Sequence, residues 1–486
     1  MNTSIIRYIL GQAIRMEGLL LLLPCIISLI YQEKAGLAYL IVAVICVAIG
    51  SALTFVKPKN KIFYLKEGCV ITSLTWISLS IFGCLPFIIS GDIPSFTDAL
   101  FETVSGFTTT GASILSDVEA LSYASLFWRS FTHWVGGMGV LVFILAIVPL
   151  SGGSNMNLMK AESPGPSVGK LVPKLKQTAR LLYFIYLGLT IIQFILLLIG
   201  KMPVFDAITL TLGTAGTGGF AVRNTGLTEY TAYQQWVITI FMIVFGVNFN
   251  AYYFIILKKF KKAFTMEEVR AYLLIVIAAS AIIFVEIYEK ATGIEYALRH
   301  AFFQVAAIIT TTGYSTIDFD LWSTTAKTVI ILLMFSGACA GSTAGGIKIS
   351  RIIVAIKTML KEMNSYIHPK SIKKINIEGK PIEHEILRSI NVFLITYMLI
   401  FGASMLLIST NKLDMTTNFT SVLTSLSNVG PGFNLVGPTK NFGFLNSFTK
   451  YILIFDMLAG RLELFPLLML FHPGLWKGFF SKKKDF

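Results

Sequence analysis

Four short apolar segments of this chain run into the same kind of bend: Thr110-Gly111-Ala112, Thr217-Gly218-Gly219, Thr312-Gly313-Tyr314 and Val429-Gly430-Pro431. Their glycines are separated by 107, 95 and 117 residues, so the chain reads as one unit written four times. The segments leading into the bends lie near 97–107, 204–214, 297–309 and 417–427. As helices of ~10–13 residues they are too short to cross a hydrocarbon core. Each reads instead as a re-entrant helix that enters, turns and leaves. Bare backbone cannot face lipid, because every unsatisfied amide or carbonyl costs several kcal/mol, but it is stable where it lines a watery cavity. Successive carbonyls can face one axis where the backbone alternates into positive φ, which glycine takes without a Cβ penalty. Four such bends predict stacked rings of oxygens that replace the water around a cation. The C-terminal ends of the four short helices would add partial negative charge. One Thr-Gly pair is an ordinary turn; three of them and Val429-Gly430, each after a short helix and all on one predicted side, predict a pore.

The surrounding chain is of membrane type. Of its 486 residues 55% are hydrophobic and 14% charged, against ~25% charged in soluble domains. Apolar runs at 12–31, 36–56, 67–90, 123–150, 179–200, 233–257, 268–288, 324–347, 386–409 and 447–471 predict ten crossings of ~20 residues or more. The first run lacks a small-residue cleavage site and a second follows directly, so no cleaved signal peptide is expected. The net charge of +14 gathers between alternate spans: Lys57, Lys59, Lys61 and Lys66; Lys160, Lys170, Lys174, Lys176 and Arg180; Lys258, Lys259, Lys261, Lys262 and Arg270; Lys357, Lys361, Lys370, Lys373, Lys374 and Arg388; and Lys482-Lys483-Lys484. The intervening loops carry Asp117, Glu119, Glu229, Asp318 and Asp320. This bias predicts cytoplasmic termini and bends that open outward. It also accounts for the basic charge without nucleic acid. The five cysteines, Cys25, Cys46, Cys69, Cys84 and Cys339, lie in or beside apolar runs without metal-ligand spacing and read as structural thiols.

The predicted fold is an all-α membrane protein. Two leading transmembrane helices occupy 1–60; units of helix, pore helix, bend and helix follow at 61–170, 171–265, 266–383 and 384–486, the last with a basic tail.

The longer segments Ser105-Gly106-Phe107-Thr108-Thr109-Thr110-Gly111-Ala112, Gly216-Thr217-Gly218-Gly219-Phe220, Thr310-Thr311-Thr312-Gly313-Tyr314 and Asn428-Val429-Gly430-Pro431-Gly432 resemble the four filter segments of the Trk/Ktr/HKT superfamily of potassium transporters. The two leading helices resemble its Trk branch, the TrkH-like membrane subunits, and the likeness covers nearly the whole chain. It implies a potassium-translocating subunit of the bacterial cytoplasmic (inner) membrane. The implied filter is Thr109, Thr110, Gly111, Thr217, Gly218, Thr311, Thr312, Gly313, Asn428, Val429 and Gly430, with K+ as the only metal. Glycine at Gly111, Gly218, Gly313 and Gly430 favours potassium over sodium, and Val429 makes the ring chemically unequal. The resemblance also implies a homodimer and a TrkA-like cytoplasmic regulatory ring. Any nucleotide would sit on that partner, so no cofactor is expected in this chain.

Below the bends, the eighth run is interrupted by Ser336–Gly346, a stretch of small residues with four glycines. Gly341 and Gly346 have phosphate-loop spacing, but Ile347 stands where the lysine belongs and Lys348 comes one place late. Two readings stay open: close helix packing by small residues, or a mobile gate. The stretch resembles the family's intramembrane loop, which implies a gate at Gly341, Gly345, Gly346 and Lys348. In the tenth run Asp456, Arg461 and Glu463 interrupt an apolar sequence. Such charges face a cavity or one another. They form either a structural ion pair, or a pore in which Arg461 is an electrostatic barrier; Gly460-Arg461-Leu462-Glu463 resembles the family segment that supplies such an arginine.

No catalytic constellation is present, so an enzyme is not expected. A symporter coupled to H+ or Na+ is the alternative transport reading, kept open by Asp456 and Glu463. Glu102 either attracts cations or satisfies local backbone. His133, His368, His384 and His472 are scattered without ligand spacing. Ile367–Lys370 and Ile375–Ile382 alternate around a Glu378-Gly379-Lys380 turn and predict a cytoplasmic hairpin near 365–383, the other reading being a plain linker.

Overall fold

The computed structural model describes residues 1–60, 62–139, 175–289, 291–369 and 374–480. Lys61, Lys160, Lys170, Lys174, Lys370, Lys373, the Lys482-Lys483-Lys484 tail and the end of the run 123–150 lie outside the described residues.

The chain opens with α1 (Thr3–Leu20), α2 (Leu22–Ile30) and α3 (Gly36–Thr54). α1 and α2 form one 28-residue apolar span. It packs on α3 through glycines: a Cβ on Gly18 would lie 2.8 Å from the Ala43 carbonyl oxygen, and one on Gly50 would lie 2.6 Å from that of Gly11. Apolar helices in lipid gain little from burial and associate by such close backbone approach.

A long helix, a short helix and a medium helix then follow four times. They are α4 (Leu65–Ser90), α5 (Phe96–Phe107) and α6 (Tyr123–Gly137), then α7 (Leu175–Ile199), α8 (Val204–Gly216) and α9 (Ala232–Gly246). α10 (Phe249–Ile256) and α11 (Phe260–Phe264) lead into α12 (Glu267–Tyr288), α13 (Ile294–Ile309) and α14 (Thr324–Phe335). After a loop come α15 (Ile349–Ile367) and a hairpin of β1 (Asn376–Ile377) and β2 (Lys380–Pro381). The last set is α16 (His384–Ile408), α17 (Met415–Leu426) and α18 (Ser447–Arg461), with α19 (Phe465–Met469) and α20 (Pro473–Phe480) closing the described chain.

Each medium helix is started by a polar cap. Ser122, Thr231, Ser323 and Asn446 accept from the backbone N–H three residues on, an exchange typically worth about 1 kcal/mol per cap. Each also stops early, which corrects the expectation of ten continuous crossings. Among the described residues six helices are singly long and apolar enough to span, and α9 with α10 is a pair bent by 93°. α6 is described to its end at Gly136-Gly137. α14 gives way to Ser336, and α18 turns at Glu463 and Leu464, where φ is +53° and +70°. Apart from Asn248 and Glu463, the residues at these breaks are small or apolar, so average hydropathy runs straight through them.

The span Arg180–Ile199 is 22% buried at mean hydropathy 2.4, so most of its apolar surface faces outward, as lipid contact requires. The hairpin pairs Asn376 with Pro381 and Ile377 with Lys380. Its two-residue turn puts Glu378 at φ +50° and Gly379 at φ +76°, the geometry a tight hairpin favours. The first part of the predicted hairpin is corrected at Ile367, which ends α15, while Lys370 lies outside the described residues.

Candidate functional site

The four short helices end alike. The N–H groups of Thr109, Thr217, Thr311 and Asn428 bond to the carbonyl three residues back, at Gly106, Thr214, Ile308 and Ser425. The next N–H groups, of Thr110, Gly218, Thr312 and Val429, reach five residues back, to Ser105, Gly213, Ala307 and Thr424. This is a Schellman closure, which needs a left-handed residue at its corner. Thr109, Thr217, Thr311 and Asn428 supply it at φ +56°, +54°, +55° and +55°. A second positive φ follows at Gly111 (+79°), Gly219 (+85°), Gly313 (+76°) and Gly430 (+102°).

That pattern corrects the register of the second bend. The glycine equivalent to Gly111, Gly313 and Gly430 is Gly219, while Gly218 matches Thr110, Thr312 and Val429. The Thr-Gly pair is misleading where two glycines follow one another. Aligning the four-residue blocks Thr108–Gly111, Gly216–Gly219, Thr310–Gly313 and Ser427–Gly430 would have found it.

The bends meet in cyclic order. A Cβ on Gly111 would overlap the Gly218 carbonyl oxygen, one on Gly219 that of Thr312, one on Gly313 that of Val429, and one on Gly430 that of Thr110. The fourth bend thus closes on the first, and one carbonyl from each lies at the seam with its neighbour. A cavity of about 150 Å³ opens above, lined by all four glycines. The ring is chemically unequal: the Thr108 and Thr110 hydroxyls pair at 2.8 Å, as do those of Thr310 and Thr312, while Gly216, Gly218 and Val429 have none to offer.

Side chains behind the ring brace it. Glu102 is buried, and its Oε1 lies 2.8 Å from both Nε and Nη2 of Arg129. Its Oε2 accepts from the Ile114 N–H at 3.0 Å. The Arg129 guanidinium stacks 4.1 Å from the Phe220 ring and donates to the Ala221 carbonyl at 3.3 Å. Glu102 therefore ties the strand after the first bend to that after the second. Glu102→Ala leaves a buried guanidinium without its carboxylate, a loss of ~3–5 kcal/mol. The variant is expected to melt well below the wild type in detergent; an unchanged melting temperature would count against the brace.

His133, unremarkable in sequence, is part of the same support. Its Nδ1–H donates to the Gly106 carbonyl at 2.7 Å and its Nε2 accepts from the Phe220 N–H at 3.2 Å. A Cβ on Gly218 would collide with its ring. The only sequence signal was an intramembrane histidine, which must find partners. Tyr186 and Tyr272 donate to the Trp134 and Ile243 carbonyls at 3.0 and 3.1 Å, each three residues before the glycine ending its helix.

Ser336–Gly346 forms an irregular loop directly below the ring. The Gly345 N–H donates to Thr311 Oγ1 at 2.7 Å, and a Cβ on Gly345 would lie 2.8 Å from Asn428 Cβ. Glu268 holds the lower end, accepting from the Ala340 and Ser350 N–H groups at 2.6 and 3.1 Å. The buried Lys348 ammonium donates to the Ala344 and Gly345 carbonyls. Arg461 donates to Thr343 in the loop at 2.8 Å, and to Gly137 at 2.8 Å and Gly136 at the end of α6. The structure thus brings Gly345, Lys348 and Arg461 together. Gly341, at φ +70°, lies at the loop's exposed edge, and Gly346 at φ +67°. Asp456 instead accepts from Ser404 on α16 at 2.7 Å, and Glu463 pairs with Arg351.

Apolar spans enclosing a buried ring of four backbone bends are those of a helical membrane transport protein. The chain belongs to the TrkH family of cation transport proteins, whose model matches residues 36–482. It is 35% identical over 98% of its length to the whole of the Trk system potassium uptake protein TrkH of Salmonella typhimurium. It is 32% identical over 98% of its length to the whole of the Trk system potassium uptake protein TrkG of Escherichia coli. The crystal structure of the potassium transporter TrkH from Vibrio parahaemolyticus superposes with TM-score 0.88 at 29% identity, covering 98% of this chain and 100% of that one.

Proposed function

We propose that this chain is the potassium-translocating membrane subunit of a Trk-type uptake system. Two leading helices (1–60) precede four helix–pore-helix–filter–helix units (61–170, 171–265, 266–383 and 384–486) around one pseudo-four-fold pore. The observation that carries the proposal is the cyclic closure of the four bends, which sets equivalent carbonyls from all four units around one axis. Such oxygens replace a monovalent cation's hydration shell. The filter residues are Thr109, Thr110, Gly111, Thr217, Gly218, Thr311, Thr312, Gly313, Asn428, Val429 and Gly430, with Gly219 added by the backbone register. Ser336–Gly346 is the gate, latched by Lys348 and Arg461. The termini and the 375–382 hairpin face the cytoplasm, where a TrkA-like nucleotide-binding partner docks, and the subunit is a homodimer. These last features rest on charge placement and on family likeness.

The protein reconstituted in vesicles is expected to pass K+ in preference to Na+, with a reversal potential that follows the K+ gradient. A reversal potential that moved with the proton or sodium gradient would establish coupled symport instead. Asp456 and Glu463, the carboxylates coupling would call on, are bonded to Ser404 and Arg351.

A further inference from the structure

The bend between α9 and α10 turns the chain by 93°. α9 packs antiparallel to the spanning helix α7, Tyr233 bonding to the Leu196 carbonyl and Phe245 lying on Tyr186, so α10 turns across the direction of the spans, and α11 folds back on it with Lys262 over the Phe254 ring. Ala251, Ala263, Met266 and Val269 form a small buried cluster that anchors the pair. The outward side is apolar: Ile256, Phe260 and Phe264 are 59%, 53% and 60% exposed, the two phenylalanines one helical turn apart. Lys258, Lys259, Lys261 and Lys262 surround them, all exposed. None of the four has an acidic partner within ion-pair distance among the described residues.

Exposed apolar side chains beside four exposed lysines, on a helix pair turned across the spans, match the chemistry of one ligand, a phospholipid with an anionic headgroup. A free phosphate would meet the charge but leave the phenylalanines uncovered. The patch is also wired to the loop below the ring. The first N–H of α10, at Phe249, donates to the Gly341 carbonyl at 3.1 Å. Asn248, its cap, donates at 3.3 Å to Glu268, the carboxylate that holds Ala340 and Ser350.

We propose that α10 and α11 form an anionic-phospholipid site on the inner membrane surface, and that its occupancy holds the intramembrane loop in place through Phe249 and Asn248. The lysines take the phosphate and Ile256, Phe260 and Phe264 the acyl chains. The second half of the proposal rests on the conduction reading above; the first does not.

The test uses the full chain in nanodiscs of mixed phosphatidylcholine and phosphatidylglycerol, extracted gently and weighed by native mass spectrometry. The wild type is expected to retain phosphatidylglycerol in preference to phosphatidylcholine. A variant with Lys258→Gln, Lys259→Gln, Lys261→Gln and Lys262→Gln is expected to lose that preference by at least about tenfold, given the attraction of each surface lysine to an anionic leaflet. The matching four-arginine variant is expected to keep it, which shows that charge and not folding is read. Equal retention by the wild type and the glutamine variant overturns the site. So does displacement of the lipid by inorganic phosphate at matched ionic strength. For the coupling, the glutamine variant is expected to pass more K+ than the wild type in vesicles containing phosphatidylglycerol, and the same amount in phosphatidylcholine alone. Equal flux in both lipids, with lipid retention intact, overturns the coupling and leaves the site and the potassium reading standing.

Discussion

A Gly219→Ala protein is expected to insert into the membrane and to pass no measurable K+. Gly219 holds φ +85°, where an L-residue is disfavoured by ~1–2 kcal/mol. The added methyl would also overlap the Thr312 carbonyl oxygen, a backbone atom with no rotamer to escape into. Relief comes by moving the third bend, which is itself locked against Val429 and through it against Thr110. A local insult is therefore passed around the whole ring. Gly402→Ala is the control: a Cβ there, on α16, meets nothing within 4 Å, and transport should be unchanged. Flux from Gly219→Ala equal to that of Gly402→Ala would mean that the ring is not where ions pass.

Arg461→Ala is expected to raise resting flux, because the guanidinium latches the loop. It joins Thr343 of the third unit to the Gly136 and Gly137 carbonyls of the first, and these two units are the neighbours of its own fourth unit in the ring. A hydrogen bond from a charged donor contributes ~1.5–3 kcal/mol. Losing three of them shifts the balance between seated and displaced loop by at least about tenfold, at 1.4 kcal/mol per decade. On the proposed path, removing a positive charge acts in the same direction. Arg461→Lys, which keeps the charge but not the fork, is expected to fall between. Flux that vanished in Arg461→Ala despite normal insertion would assign Arg461 to holding the fold.

The sequence made some of this legible and hid the rest for identifiable reasons. Long spans such as α4 and α16 announce themselves by hydropathy, since lipid tolerates little else. The four bends were visible because the second positive φ of each calls for glycine. The breaks ending α9 and α18 were not, because Asn248 and Glu463 are single polar residues among Val247, Leu462 and Leu464, which are as apolar as any helix interior. The second bend slipped by one residue because Gly218 and Gly219 are the same letter with different backbone demands. Small residues at Ser336–Gly346 fitted packing and loop alike; what decides is Gly345 against Thr311, a contact between residues 34 apart in the chain. His133 and Glu102 could not be placed from sequence at all, since their partners Phe220 and Arg129 come from other elements.

Three of the medium helices end against the end of a short helix. Gly136 of α6 packs on Phe107 at the end of α5, Gly246 of α9 on Thr310 beyond α13, and Gly460 of α18 on Leu426 at the end of α17. Each such terminus carries roughly half a negative charge. Together they surround the ring with partial negative charge that belongs to the peptide backbone and cannot be titrated away, offset at the end of α6 by the Arg461 guanidinium. On the proposed path, sign selectivity is thereby separated from size selectivity. Damage to the bends that lets sodium through should still turn chloride away.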